Sequence, residues 1–264
     1  MSMFETERNE NMDLSYFSLQ GERAFITGGG SGIGLGIARC MLRAGAEVVL
    51  TGRRKKLLDE AVKELGAGAC ALQGDVTDFE AVDALARRAE EEFGPVSIVV
   101  NNAGIHLKAP FEETSMDDFD RVMRTHVGGA FAVSRAFVPG MRVRGRGHLL
   151  FIASMTTFIG MPQVIAYSAA KSAFGGMVRA LTADLAPSGI RVNAVAPGWI
   201  DTPMLHKAVD HDPERKAKIL GRTPMKRFGS VDDIGNAAVF LSSAAASFIT
   251  GVILPVDGGA VTGF

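Results

Sequence analysis

The sequence predicts an α/β domain: a doubly wound sheet of seven mainly parallel strands with helices on both faces. Three observations carry that expectation. Short β-branched runs alternate with longer amphipathic stretches, the runs are apolar throughout, and a glycine-rich turn joins the first run to the first stretch. A strand covered by helices on both sides has no wet face, so its apolar residues are continuous rather than alternating. Strand–helix alternation then builds right-handed crossovers.

The strands expected in order are 23–27 (RAFIT), 47–51 (EVVLT), 69–73 (ACALQ), 96–101 (VSIVVN), 148–153 (HLLFIA), 190–196 (IRVNAVA) and 251–256 (GVILPV). Helical periodicity fills 32–44, 55–65, 79–93, 115–143, 165–186 and 231–243. Two segments stand outside the alternation. Residues 1–19 are polar and acidic, lack an apolar core of a secretory signal, and are expected to form a loosely held arm. Residues 200–229 carry Pro203, Pro213 and Pro224 and are expected to form a lid over the substrate. No linker or repeat divides residues 20–264, which read as a single domain.

Bulk properties narrow the function. Hydrophobic residues make up 47% and charged residues 22%, enough for a substantial core. A net charge of −1 and a pI near 6.5 provide no field for nucleic acid or an anionic membrane. No run approaches a membrane-spanning length. Cys40 and Cys70 lack metal-ligand spacing and read as small core residues of a reduced, cytoplasmic protein, with no metal expected.

The turn "TGGGSGIG" (27–34) places Gly28, Gly32 and Gly34 between a strand and a helix. Without Cβ atoms, such a turn lets backbone N–H groups and the helix N-terminus approach a pyrophosphate, as in a Rossmann-type fold. An acidic residue at the end of the second strand would then hold a ribose 2′-hydroxyl. Here Gly52 takes that place, followed by Arg53, Arg54, Lys55 and Lys56. A guanidinium can hold a 2′-phosphate that a carboxylate would repel, so the expected cofactor is NADP(H) over NAD(H).

Tyr167 and Lys171 are four residues apart on a predicted helix and share a face. They are either a surface pair or a tyrosine whose acidity is set by the lysine. The small residues around them, Ala166, Ala169, Ala170 and Ala173, argue against a wet face. At about 4 Å and an effective dielectric near 20, an ammonium would favour phenolate by roughly 4 kcal/mol. Half of that would bring the phenol well toward working pH.

Together these motifs resemble the short-chain dehydrogenase/reductase family from about residue 20 to 264. The resemblance rests on "TGGGSGIG" (27–34), "GDVTD" (74–78), "NNAG" (101–104), Ser154, Tyr167 with Lys171, "PGWIDT" (197–202) and "DGG" (257–259). It implies that Gly28, Ser31, Gly32, Ile33 and Gly34 hold the pyrophosphate, and that Asp75 and Val76 border the adenine. It also implies that Asn102, Ala103 and Gly104 lie against the cofactor, and that Pro197, Gly198, Ile200 and Thr202 line the nicotinamide. By the same resemblance Ser154 binds the substrate oxygen, Tyr167 is the general acid/base, and Lys171 holds the nicotinamide ribose. Residues expected around the substrate are His106, Met155, Phe158, Met161, Gln163 and Trp199, with Met204, Leu205 and His206 from the lid. None is a fixed cation demanding a carboxylate.

The chain departs from the family in "RTHVGG", where His126 stands at the position of an asparagine that holds a water joining the lysine to solvent. A neutral imidazole can donate at one nitrogen and accept at the other, so His126 is either a replacement relay or a packed histidine. Near Lys171 its pKa is expected below the usual 6.5, with a low-pH limb in the rate. The family further implies a homotetramer, with "VGGAFA" and "SAAKSAFGGM" as contact faces. In texture, including "FSLQGERAFITGG" and "RTPMKRFG", the chain is similar to the gluconate 5-dehydrogenase and 3-oxoacyl-[acyl-carrier-protein] reductase branches. Expected substrates are therefore a sugar acid or polyol, or a 3-oxoacyl thioester. The competing function is a non-catalytic NADP-binding regulator, which loss of Ser154, Tyr167 or Lys171 would have indicated.

Overall fold

A computed structural model of the chain describes residues 14–203, 205–206 and 210–263. Its strands are β1 (Arg23–Thr27), β2 (Glu47–Gly52), β3 (Ala69–Gln73), β4 (Ile98–Asn101), β5 (Gly147–Ile152), β6 (Ile190–Pro197) and β7 (Ile253–Val256). Its helices are α1 (Gly32–Arg43), α2 (Lys55–Leu65), α3 (Phe79–Phe93), α4 (Met116–Met123), α5 (Gly129–Arg144), α6 (Ile165–Leu185), α7 (Pro213–Arg222) and α8 (Val231–Ser242). The strands form one sheet in the order β3-β2-β1-β4-β5-β6-β7, and every pairing is parallel. Strand order reverses between β1 and β4, so the loops leaving their carboxyl ends part and open a crevice.

The pleat sorts the apolar runs into two cores. Phe25, Val49, Val99 and Leu149 are cross-strand neighbours buried in one core with Phe137 and Phe174. Ile26, Leu50, Val100 and Leu150, one residue on, face the other core with Ile37, Met41, Ile234 and Leu241. Helices α1 and α8 meet in the second core so closely that a Cβ at Gly235 would collide with Cys40 Sγ. Cys40 is buried and Cys70 half-buried, and both are free thiols.

The helix expected across 115–143 is interrupted. Between α4 and α5 the backbone makes one π-helical turn, Arg124–Gly128. A Cβ at Gly128 would come within 2.6 Å of Phe79 Cζ, and one at Gly129 within 2.7 Å of Val76 Cγ2. The two glycines let the helix lie against the end of the sheet, and the wider turn carries His126 inward, 2% exposed.

At the amino end, Leu19 is fully buried, its N–H bonds the Ala44 carbonyl at 2.7 Å, and the Phe17 ring lies 6.3 Å from that of Phe240. Leu19, expected within the arm, is thus part of the core, while residues 1–13 of the expected arm lie outside the described residues. In the 200–229 segment, α7 starts on an Asp212 cap, and Ile200 bridges to Gly229. Met204 lies outside the described residues. No helix among the described residues is long and apolar enough to cross a membrane.

Candidate active site

The crevice begins at the glycine turn. Thr27 Oγ1 accepts hydrogen bonds from the Asn102 and Ala103 N–H groups at 3.0 and 2.9 Å. The Asn102 amide returns two, to the Thr27 and Gly28 carbonyls at 2.9 and 3.2 Å. The Asn102 side chain is thereby consumed in holding the turn. Gly28 has φ +64, and a Cβ at Gly34 would strike the Gly28 carbonyl, so α1 is seated directly on the turn. Ser31 supplies no side-chain cap to α1, and Ile33 turns into the core. Around Gly32 there is open space; the nearest atom to a Cβ there, Thr202 Cγ2 at 3.9 Å, faces it across the crevice.

The other walls are set by short polar ties. Asp75 Oδ1 accepts from the Thr77 N–H and hydroxyl at 2.9 and 2.8 Å, which turns Val76 inward. Gly198, after Pro197, presses on Asp257, whose carboxylate accepts from the Gly259 and Val261 N–H groups. Ile200 is buried beside them. One cleft is lined jointly by Gly28, Ser31, Arg53, Asp75, Val76, Ala103 and Gly104. Leu57, Leu58 and Thr125 also line it. Sequence reasoning missed these, since Leu57 and Leu58 read as the apolar face of a helix and Thr125 is brought to the cleft by the π-helical turn. Of the four cations after Gly52, Lys55 pairs with Asp59 at 2.7 Å and Lys56 with Glu60 at 3.9 Å. Arg53 and Arg54 pair with no carboxylate among the described residues. A Cβ-free cradle, an uncapped helix N-terminus and two open guanidiniums fit a dinucleotide.

Beyond the cradle, Ser154 follows β5, is 6% exposed, and accepts from the Thr156 N–H at 3.2 Å. Tyr167 and Lys171 come from the first turns of α6. The Lys171 ammonium is buried and donates to the Ile152 carbonyl at 2.6 Å, while staying 5.6 Å from the Tyr167 ring centroid. Burial pulls its pKa down to about 7. Burial also pushes the Tyr167 phenol up from its usual value, against the pull of the Ser154 hydroxyl. The expected acidification by Lys171 is absent from this arrangement. The lysine is turned to a backbone carbonyl, and desolvation removes much of the charge that would have acted.

Two imidazoles flank the tyrosine edge-on. His106 stands 5.1 Å away at 77° and His126 5.6 Å away at 86°. His126 Nε2 lies 2.8 Å from the Ile105 carbonyl and 3.1 Å from its N–H, and the shorter contact assigns Nε2–H as donor to the carbonyl. Nδ1 is buried with no partner among the described residues. The ring covers Gly104, where any Cβ would collide with it. Burial first, then the charge of Lys171, pull its pKa to about 3 against the Ile105 hydrogen bond. The expected direction is right, but the expected low-pH limb falls outside any working range. Gln163 adopts φ +67, and its carbonyl accepts from the Ala109 N–H at 2.9 Å, which fixes the His106 loop. Met155 is buried, Phe158 exposed, and Trp199 packs with Leu205, Ile219 and Phe228 in a small apolar cluster.

Residues 28–261 match the family model described as Enoyl-(Acyl carrier protein) reductase. The chain is 45% identical to galactitol 2-dehydrogenase (L-tagatose-forming) of Cereibacter sphaeroides, over 92% of this chain and 96% of that protein. The chain belongs to the short-chain dehydrogenase/reductase family. Among solved members, gluconate 5-dehydrogenase from Burkholderia cenocepacia in complex with NADP and tartrate superposes with a TM-score of 0.90. The two are 36% identical over 95% of this chain and 99% of that one. A 7α-hydroxysteroid dehydrogenase complexed with NADH reaches 0.89 at 39% identity, over 93% and 96%.

His126 therefore sits buried and neutral in a short-chain dehydrogenase/reductase scaffold, and it has a cost in acid. Its folded pKa, about 3, lies below the unfolded value near 6.5. Between those values the unfolded chain binds the additional proton, so stability falls as pH drops through that window. The slope is ~1.4 kcal/mol per pH unit per such group. His148, buried and also pushed well down by burial, adds in the same direction. Urea unfolding of His126→Asn between neutral pH and the acid edge should show a slope shallower by one such group. An unchanged slope would mean that His126 takes up its proton in the folded state.

Proposed function

We propose that this chain is an NAD(P)-dependent oxidoreductase interconverting a secondary alcohol and a carbonyl on a small sugar-derived substrate. What supports this is the meeting of Ser154, Tyr167 and Lys171 beside the glycine cradle. Bound along the crevice, the dinucleotide supplies a hydride donor or acceptor. The Ser154 hydroxyl donates to the substrate oxygen and holds it. The Tyr167 hydroxyl gives that oxygen a proton in reduction; in oxidation the phenol first loses its proton to solvent, and the phenolate then takes the alcohol's. Lys171 binds ribose hydroxyls with the donors that Ile152 leaves free, and His126 Nδ1 accepts from a water that returns the proton to solvent. Gluconate and galactitol in the names of the relatives support a sugar acid or polyol as substrate class.

Arg53 and Arg54, open at the adenosine end, favour NADP(H) over NAD(H) in this reading, although solved relatives hold either. Titration of Arg53→Ala should show the NADPH preference narrowed by roughly 1.5–3 kcal/mol, the scale of a charge-assisted hydrogen bond. Wild-type protein that binds NADH more tightly than NADPH would reverse the assignment.

Tyr167→Phe should bind cofactor as before and turn over about 10²–10⁴-fold more slowly. Near wild-type turnover in that variant would move proton transfer elsewhere.

The assembly we propose is a cytoplasmic homotetramer. Phe131 and Val143 on α5 are 53% and 89% exposed and Phe248 is fully exposed, apolar surface that a second copy would cover. Light scattering should return four times the 27.9 kDa chain mass, and a stable monomer would refute the assembly.

A further inference from the structure

The closing motif DGG (257–259) takes no part in the chemistry above, and the structure gives it a defined place between the crevice wall and α7. On one side it meets the wall that faces the glycine turn. The Gly198 N–H donates to the Val256 carbonyl at 3.1 Å, and a Cβ at Gly198 would stand 2.7 Å from Asp257 Cα and Cβ. That wall continues through buried Ile200 to Thr202, which lies across the crevice from Gly32. On the other side the motif meets the foot of α7. The Met225 N–H donates to the Gly258 carbonyl at 3.1 Å. Gly258 and Gly259 adopt φ +64 and +88, and a Cβ on them would stand 3.0 Å from Thr223 Cγ2 and from Pro224 Cγ respectively. Thr223 is buried, and its hydroxyl donates to the Ile219 carbonyl at 3.0 Å, so the foot is joined to the last turn of α7.

One side chain holds the turn between these contacts. The Asp257 carboxylate accepts from the Gly259 N–H at 2.9 Å and from the Val261 N–H at 2.8 Å. Among the described residues it has no cationic partner, so those two backbone groups are what its charge serves. Hydrogen bonds to a carboxylate are stronger than neutral ones, and two of them fix a turn that two left-handed glycines would otherwise leave free to adopt many shapes. α7 has a second mooring, where Ile219 packs with Leu205, Trp199 and Phe228. That contact is apolar and non-directional, so it keeps α7 near the wall without setting its position along it. The Ile200–Gly229 bridge ties the chain only beyond Met225. Direction is set at the foot, by Met225 on Gly258.

We infer that Asp257 is a positioning residue: by shaping the closing turn into a brace between Gly198 and Met225, it lets a ligand seated against the crevice wall fix the place of α7. The inference rests on the reading that a dinucleotide lies along the crevice, since that ligand would press on the wall the brace supports. Asp257 acts through the backbone of the turn, with no duty at a reacting atom. α7 belongs to the segment expected to cover the substrate, so the brace carries the state of the cofactor site to the substrate side.

Hydrogen exchange of the full chain, read by mass spectrometry with and without NADPH or NADH, tests this. In the wild type, cofactor should slow exchange at the glycine turn and also in α7. Asp257→Ala should keep the protection at the glycine turn while that in α7 falls by about tenfold, the scale of one charge-assisted hydrogen bond. Asp257→Asn keeps one acceptor oxygen, should lose part of the α7 protection, and carries the comparison if the alanine variant does not fold. A merely structural role would loosen α7 equally with and without cofactor. With the glycine turn protected, α7 protection that is absent from the wild type, or unchanged in both variants, would overturn the brace. If neither nucleotide protects the glycine turn, the oxidoreductase reading fails and the brace is judged in the free protein. There Asp257→Ala should still speed exchange over 213–225 and spare the sheet. No acceleration over those residues, or equal acceleration throughout the sheet, would overturn it.

Discussion

Hydrogen bonds between the Thr27–Gly28 turn and the Asn102–Ala103 turn fasten the two strand ends at which the sheet changes direction. These groups lie at the ends of β1 and β4; the Asn102 N–H is shared with the Val100 carbonyl, and the Ala103 N–H depends on Thr27. A single buried hydroxyl, Thr27 Oγ1, takes two of their N–H groups. The rest of the crevice follows from this tie. It seats α1 on the glycine turn and holds the strand-end loop that carries Gly104. Gly104 leaves room for the His126 ring, and His126 stands edge-on to Tyr167. Tyr167 is thus located through a chain of contacts that starts at the glycine turn.

Burial is the main electrostatic influence along that chain. It moves Tyr167, Lys171, His126 and His106 each toward the uncharged form. Lys171, with a pKa near 7, is poised between charged and neutral, so a modest change in its surroundings will alter its charge. A surface Tyr–Lys pair would have fixed full charge beside the phenol at all times. A desolvated pair instead holds the phenol toward its protonated form.

Much of this was legible in the chain, for reasons that differ between elements. Strand and helix periods were readable because both sheet faces are covered, and β3 and α2 fall on the residues expected. The glycine turn was readable because its backbone demands are strict. The π-helical turn at Arg124–Gly128 was not, since one added residue barely disturbs an amphipathic period and the glycines that permit it answer to Phe79 and Val76, far away in sequence. Spacing placed Lys171 and Tyr167 on one face correctly. It could not show that the ammonium turns to the Ile152 carbonyl, a partner contributed by strand β5. Trp199, expected at the substrate, packs with Leu205, Ile219 and Phe228 of the segment that carries α7, a contact that spacing alone does not reveal.

Charge is distributed along the crevice in a way its net value of −1 conceals. Arg53 and Arg54 stand open in the cleft beside the glycine turn, while the ionisable groups around Tyr167 are pushed toward neutrality. A charged end and a neutral middle let a ligand's anionic group be held without adding charge beside Tyr167. The two regions also answer differently to salt. Exposed Arg53 and Arg54 are screened over a Debye length of about 8 Å at physiological salt, whereas the buried groups around Tyr167 are screened far less. Rising ionic strength should therefore weaken what Arg53 and Arg54 hold while leaving the neutrality that burial imposes around Tyr167 in place.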